Sequence, residues 1–508
     1  MLGLKASRKF VRKGALSMLR VLTIGIDGCS WNVVEKLRNT EILSMNFIKR
    51  ETAWGILEST VPPWSVPAWN TLFTGVRPEK MRLYSFVKRR GNSLAPALRE
   101  LDNQVYVWDL VSMHGGRVVA VNVPCVSRAI PVNGYFVSGF LADRSKLAFP
   151  LGLNGLLSDY GYIVDVYDLH PLTDEEYLEV CIKATIQETA LFLELSRRVK
   201  WVLGILVYTH SDRVQHRFLK TRFSFVEKYY EVLDACIAKL LDSINLDNTV
   251  VFIVSDHGFK IPKTAFNVNT WFASKGYLSI NPVSTRTRVM RTIKYKLSNN
   301  YTPLTIARKV AKLCPTLSKA LSQTKLENRE GGPIKGAYMP SEDGSVYIMN
   351  VTDEVKNMLV DKIAEEIGKN IPKIKVCKAS EVYEVVRDEA PDLVLESDDY
   401  ALLTDPTLPL RLRIMRATHA KEGVLIVLGP KWVIDSGFKS QASVYDIAPT
   451  MLYTLGIPIP SYMDGHVLTE LFSRNFIQHN MKSYIEISYE KAKIKTKIRR
   501  TIINRVVE

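Results

Sequence analysis

The sequence predicts an α/β fold: a mainly parallel central sheet with helices on both faces and a smaller cap inserted into it. Three observations predict this. Short, almost purely apolar runs recur at Arg20–Ile26, Val202–Tyr208, Thr249–Ser255 and Gly423–Leu428, and continuous apolar runs mark strands buried on both faces. Helical patterns separate them, which implies crossover connections and therefore parallel strands. Finally, two of the runs end in Asp27-Gly28 and Asp256-His257, at the strand ends where an open α/β sheet gathers its chemistry.

The elements follow in order. Arg20–Ile26 is the first core strand, and Ser30–Leu37 has helix character. Thr60–Pro67 holds three prolines and reads as a turn, after which Ala68–Thr74 opens a helix that Gly75 ends. Arg117–Val123 and Gly134–Val137 are short strands, and residues 150–200 are mostly helical, with an acidic stretch at Asp174–Glu179. The strand Val202–Tyr208 precedes a long amphipathic helix, Phe223–Leu241, which leads into the strand at 249–255. Residues 282–330 read as helical and basic; Ser345–Met349, Asp353–Ile367 and Leu393–Leu395 add a strand, a helix and a strand. Gly423–Leu428 is the last strong strand, and the helix Tyr445–Leu455 is stopped by Gly456-Ile-Pro-Ile-Pro. The division expected is a basic extension (1–19), a catalytic α/β domain in two parts (20–260 and 411–475), a cap (261–410, with the basic segment 282–330) and a basic tail (476–508).

At 508 residues, 46% apolar and 24% charged, the chain has the composition of a globular protein and length for two to four domains. Six scattered cysteines without a CxxC pair argue against a zinc ribbon or a disulfide scaffold and for a reducing compartment. The net charge of +16 is concentrated: residues 1–20 carry six basic side chains and no acid, 282–330 eleven against two, and 482–508 eight against three. The core is therefore near neutral with basic appendages, which are either solvated faces or contacts to an anionic surface. No run of eighteen apolar residues exists, so no spanning helix is expected. Met1–Arg20 lacks the apolar stretch of a signal peptide, and Met18 offers an alternative start. The expected location is cytoplasmic, peripheral to a membrane at most. The segments Val289–Leu297 and Leu304–Leu317 alternate apolar and basic residues, as a cap face or a lipid-surface helix would. Lys491–Arg500 alternates with period two and reads as an edge segment, a disordered arm or an anionic-surface contact.

Chemistry-bearing residues follow the strands. Asp27-Gly28 alone is a common turn. Ser65, just before a helix, is a cap or a nucleophile steadied by helix N–H groups. Asp212 and His216, four apart, project from one helical face, with His210 a second choice. Asp256-His257 closes a strand, and His419 precedes another. Together, three aspartates and three histidines suit two divalent ions, which at about 3.5–4 Å apart can clamp the attacking and leaving oxygens of an in-line displacement.

The order Asp27-Gly28, Ser65-Val-Pro, Asp212-x3-His216, Asp256-His257-Gly258 and Thr418-His419-x3-Gly423 resembles the alkaline phosphatase superfamily. It is most similar to the type I phosphodiesterase/nucleotide pyrophosphatase branch in its prokaryotic form. Supporting segments are Thr74-Gly75-x-x-Pro78, Val121-Asn-Val-Pro124, Val137-Ser-Gly-Phe140, Ala390-Pro-Asp392, Asp446-Ile-Ala-Pro-Thr450 and Met463-Asp-Gly465. The resemblance implies an alkaline-phosphatase-like fold. It implies one ion on Asp27, Ser65, Asp256 and His257, and a second on Asp212, His216 and His419, with zinc expected and manganese or iron as alternatives. Ser65 would be the nucleophile, passing through a phosphoserine. Relatives often place Asn three residues after the nucleophile; here that position is Ala68, which leaves the phosphate contact to Asn70 or to backbone N–H groups. Trp69 stands where a sulfatase would carry Arg, which argues against sulfatase activity.

The expected function is hydrolysis of a small phosphate ester, nucleotide-like or a lipid headgroup, with a phosphodiester or pyrophosphate bond favoured. The alternatives are a phosphomonoesterase or phosphoryl transferase of the same superfamily, or a non-catalytic protein binding anionic lipid or nucleic acid. No specific nucleic-acid partner is expected; peripheral contact with an anionic membrane is the minority reading.

Overall fold

The computed structural model describes residues 19–38, 53–169, 173–279, 291–292, 295, 335–435 and 437–507. The expected basic extension at 1–19 and the basic segment at 282–330 fall almost wholly outside these residues. Nine strands form the central sheet, in the order Lys439–Ser443, Ala53–Glu58, Glu422–Leu428, Thr249–Val254, Arg20–Ile26, Leu203–Tyr208, Val118–Val123, Gly134–Ser138, Ala148–Phe149. Only Glu422–Leu428 and Ala148–Phe149 run against the others, so the sheet is mainly parallel.

The apolar runs form strands because both of their faces are covered. Val250, Phe252 and Val254 enter one core, where the helices Ser65–Thr74, Val107–Met113 and Ile447–Thr454 pack. Val251 and Ile253 enter the other, with the helices Trp31–Arg38, Asp174–Arg198, His210–Phe218 and Phe223–Asp242. Each such side chain contributes about 1.5–3 kcal/mol on burial. Two further strands had weaker signals. Ala53–Glu58 alternates buried with more exposed residues, and Lys439–Ser443 is a polar edge strand.

A second sheet lies within the inserted segment. It has five antiparallel strands in the order Leu278–Ser279, Lys335–Tyr338, Ser345–Met349, Leu393–Glu396, Lys375–Lys378. With the helix Asp353–Asn370 it shares a core of its own, including Phe266, Trp271, Ile363, Ile367 and Leu395. The chain leaves the central sheet and returns to it through one ladder, Gly258–Lys260 antiparallel to Thr418–Ala420, with Phe259 opposite His419. Arg89 pairs with Asp392, tying this unit to the hairpin Val87–Arg90/Ser93–Pro96, and Lys356 of the unit itself binds the same carboxylate.

The tail departs from the period-two reading. Tyr489–Val507 is a helix. Its inward positions Tyr489, Ala492, Thr496, Arg500 and Ile503 recur at three- and four-residue intervals, the spacing of one helical face. Arg500 binds both oxygens of buried Asp109, at 2.9 and 2.6 Å. Lysine and alanine are good helix formers, so the alternating lysines do not oppose this face.

Candidate active site

Strand direction gathers the candidate residues at one edge. Arg20–Ile26, Leu203–Tyr208 and Thr249–Val254 are parallel neighbours. They deliver Asp27, the helix His210–Phe218 and the pair Asp256-His257 from their carboxyl ends. Glu422–Leu428 runs antiparallel to Thr249–Val254, so its amino end, with His419 just upstream, meets the same edge. The stem ladder fixes the last step: His257 and His419 stack with ring centroids 3.7 Å apart.

Ser65 is the first residue of its helix rather than the residue before it; Trp64 stands at the cap and supplies no capping side chain. The first-turn N–H groups therefore meet no capping side chain. Pro67 is tolerated in this first turn, where its missing N–H would find no helical partner. The helix ends at Gly75, whose φ of 65° is left-handed. Gly28 is needed for two reasons: its φ is +70°, and a Cβ there would come within 2.3 Å of Phe259.

Each candidate ligand is held by one atom and presents another. Asp27 accepts from Trp69 Nε1 on Oδ2 at 3.0 Å, Asp256 from the Gly28 N–H on Oδ1 at 3.2 Å, and Asp212 from Arg213 on Oδ2 at 2.9 Å. The remaining oxygens, Asp27 Oδ1, Asp256 Oδ2 and Asp212 Oδ1, are buried without any hydrogen-bond partner. The imidazoles repeat the pattern. Nδ1 of His216, His257 and His419 faces the carbonyl oxygens of Ala417, Gly258 and Pro63 at 3.2, 3.2 and 3.1 Å. A carbonyl only accepts, so each Nδ1 carries the proton and each Nε2 presents a lone pair.

The presented atoms converge. His257 Nε2 lies 3.3 Å from Ser65 Oγ, 3.3 Å from Asp256 Oδ2 and 3.6 Å from Asp27 Oδ1. Asp212 Oδ1 lies 3.3 and 3.4 Å from Nε2 of His216 and His419, whose two Nε2 atoms are 2.9 Å apart. The ligand atoms of Asp27, Asp256 and His257 fall within 4.8 Å of one another, as do those of Asp212, His257 and His419. Lone pairs facing lone pairs and unpaired buried carboxylate oxygens are costly arrangements, and a cation between them removes the cost. The donor set of oxygen and imidazole nitrogen fits a divalent metal.

Protonation follows from this crowding. Burial, then the neighbouring carboxylates Asp256 and Asp212, raise the Asp27 carboxyl well above its ordinary value. Asp256 is likewise raised, first by burial and then by Asp212. Burial also pushes Asp212 up, but His216, His419 and Arg213 outweigh it and hold this carboxyl low. Burial lowers His257 well below the usual imidazole range, with His419 adding to it. His216 keeps 30% of its side chain exposed, yet burial, with smaller contributions from His419, Arg416 and Arg213, outweighs the opposing Asp212 carboxylate and lowers it to about 4, so it is neutral at pH 7.

Two expectations change. Asn70 cannot donate to a substrate in this conformation: its amide donates to the carbonyls of Val66 and Cys125 at 2.8 and 3.1 Å and accepts from Tyr106 at 2.7 Å. The second choice, His210, faces Glu188 at 3.3 Å, away from the aspartates. Other contributors escaped sequence reasoning. Arg213 grips Asp212 while two of its nitrogens bind Asp165, at 3.3 and 2.8 Å; only its adjacency to Asp212 hinted at this. Asn122 donates to Val207 O and Glu188 at 2.8 and 2.7 Å, fastening the end of the strand that carries Asp212; its signal was the Val121-Asn-Val-Pro124 segment.

Comparison with solved structures returns alkaline-phosphatase-like folds. Murine ectonucleotide pyrophosphatase/phosphodiesterase 5 shares 10% identity at a TM-score of 0.53, covering 89% of this chain and 100% of that one. The alkaline phosphatase PafA shares 14% at 0.54, over 91% and 100%. Phosphonoacetate hydrolase from Sinorhizobium meliloti 1021, in complex with phosphonoacetate, shares 14% at 0.53, over 87% and 96%. Comparison with curated protein sequences returns no match. A family model described as type I phosphodiesterase / nucleotide pyrophosphatase matches residues 21–441, and the chain belongs to that family of phosphoric ester hydrolases.

Proposed function

We propose that this protein hydrolyses a phosphodiester or pyrophosphate bond in a small, nucleotide-like phosphate ester, with Ser65 as nucleophile and two divalent cations as cofactors. One observation carries the reading: three unpaired carboxylate oxygens and three imidazole Nε2 atoms converge beside the Ser65 hydroxyl, each residue anchored through its other polar atom. Asp27, Ser65, Asp256 and His257 would hold one cation, and Asp212, His216 and His419 the other, with zinc suited to the mixed donors and manganese or iron as alternatives. Bound there, the cations would supply Lewis-acid charge to the phosphoryl oxygens and make hydroxyl and water oxygens better nucleophiles.

The chain's own residues do the rest. Ser65 Oγ attacks phosphorus, the bond to the leaving oxygen breaks, and the serine proton ends on that oxygen. Water then cleaves the Ser65–phosphorus bond and restores the hydroxyl. The uncapped N–H groups of the Ser65 helix are donors available to a phosphoryl oxygen. Half-buried Trp64, Phe86 and Phe140, packed edge to face with ring centroids 5.8 and 6.2 Å apart, offer an apolar cluster near the serine. A nucleotide-like substrate is further supported by the inactive murine ectonucleotide enzyme, whose structure is in complex with AMP. The inserted unit with its own core and single stem is read as a cap spanning 261–410.

A metal-free Ser65–His257 pair is the second reading, favoured by their 3.3 Å contact. It leaves the three orphan carboxylate oxygens without a role. Turnover of bis-p-nitrophenyl phosphate against p-nitrophenyl phosphate, with Zn²⁺ or Mn²⁺ and with chelator, separates the two. The expected result is metal-dependent turnover that prefers the diester; full activity in chelator supports the pair.

Two binding results follow. Saturating Zn²⁺ at about a hundred times its Kd stabilises the fold by about 2.7 kcal/mol. For a chain of this length, that is a melting-temperature rise of about 2–3 °C, reversed by chelator. An unchanged melting curve would count against the cation sites. Because the carboxyls of Asp27 and Asp256 are raised, metal must displace protons from them. Apparent affinity therefore falls as pH is lowered from 7 to 5, by at least about tenfold. Calorimetric titration in two buffers of different ionisation enthalpy reads the released protons directly.

A further inference from the structure

The helix Tyr489–Val507 has two unlike faces. Tyr489, Ala492, Thr496, Arg500 and Ile503 face the protein, where Tyr489 donates to Gln104 at 2.6 Å and Arg500 grips Asp109. The opposite face carries Ile494, Ile498 and Ile502, which are 61%, 56% and 56% exposed. Their four-residue spacing aligns them in one stripe. Exposed Lys491, Lys495, Lys497 and Arg505 lie among and beside them. The helix carries seven basic residues and one acid, Glu490, which pairs with Lys493 at 3.2 Å. The segment leading into it exposes more apolar surface, with Met481 85% and Tyr484 62% exposed.

Scattered exposed aliphatics need no explanation, but an aligned stripe bounded by cations marks a contact surface. Neither the sheet nor the candidate active site uses it. We propose that this face lies on an anionic lipid surface, with the three isoleucines entering the headgroup–acyl boundary and the flanking Lys and Arg side chains reaching back to lipid phosphates. Charge and shape together select this occupant. A second copy related by two-fold symmetry would bring two strongly basic helices together. Nucleic acid would use the cations but gain nothing from a row of branched aliphatics. Among the described residues no helix is long and apolar enough to cross a membrane, so the contact is one of lying on the surface. This inference does not rest on the proposed reaction.

The test is co-sedimentation of the full chain with vesicles of phosphatidylcholine, with and without roughly one third phosphatidylserine. The expected result is binding at least about tenfold tighter to the anionic vesicles, weakened by salt. The variant Ile494→Asn/Ile498→Asn/Ile502→Asn is expected to bind them at least about tenfold more weakly. A second variant, Lys491→Gln/Lys495→Gln/Lys497→Gln/Arg505→Gln, is expected to lose the preference for anionic lipid. Both should keep the wild-type melting temperature, since every substituted side chain is exposed. Absence of vesicle binding, or binding unchanged in the isoleucine variant, overturns the proposal. So does self-association or nucleic-acid binding without vesicle binding, which would assign the face to a second copy or to a polynucleotide.

Discussion

Replacing Ser65 with alanine is expected to lower turnover at least about a thousandfold while leaving the fold and its response to metal in place. The hydroxyl sits 3.3 Å from His257 Nε2 at the start of a wholly buried helix. It is the one side-chain oxygen in the converging group that is neither a carboxylate nor anchored elsewhere. Its removal takes one proposed ligand from the first cation but leaves the three aspartates and three histidines, so a metal-induced rise in melting temperature should persist in reduced size. Because Trp64 and not Ser65 occupies the cap position, helix stability should change by no more than about 0.5 kcal/mol. The informative comparison is therefore kcat against the thermal shift in the same preparation. Retention of activity within about tenfold of wild type would rule out a phosphoserine and favour direct attack by water.

The second large effect concerns Asp256, and it has two opposite parts. Asp256→Asn is expected to lower activity at least about a hundredfold, as when a directly coordinating group is weakened. In the same protein without metal, the melting temperature is expected to rise. In the wild type Asp256 Oδ2 is buried without a partner, beside Asp27 Oδ1 and 3.3 Å from the His257 lone pair. An amide keeps Oδ1 as acceptor for the Gly28 N–H, places a permanent donor where Oδ2 was, and cannot ionise, so it never adds a buried negative charge beside Asp27 and Asp212. A rise in melting temperature would mean a site built against the stability of the empty fold, a common cost of preorganised function. Differential scanning of both proteins, with chelator and then with metal, should show the order of stability reversing. A variant less stable than wild type in both conditions would mean that Asp256 serves the fold and not a cation.

Much of this was legible in one dimension. The strands Arg20–Ile26, Leu203–Tyr208 and Thr249–Val254 announce themselves because strands buried on both faces are apolar throughout. Asp27, Asp212, His216, Asp256 and His257 were candidates because their types follow such strands, and His419 because it precedes one. What was illegible had weak or misleading local patterns. Lys439–Ser443 is a polar edge strand with no apolar face to betray it. The alternating lysines of the tail imitate a strand, whereas packing of Tyr489, Ala492, Thr496 and Arg500 decides for a helix. Asn70 looked available as a donor, but its partners Cys125 and Tyr106 lie 55 and 36 positions away.

The residue order alone determined the fold class, because strand and helix patterns depend on periodicity within short windows, and the order of its short motifs carried the resemblance that named the family and the candidate site residues. Three-dimensional packing alone decided where those side chains stand and which of their atoms are left unpaired. The reversed direction of Glu422–Leu428 brings His419 to the edge reached by its parallel neighbours, and the stem ladder sets His419 against His257. Trp69, the Gly28 amide and Arg213 each occupy one carboxylate oxygen and leave the other bare. Such pairings join residues up to hundreds of positions apart, and local periodicity carries no information about the direction or register in which distant segments meet.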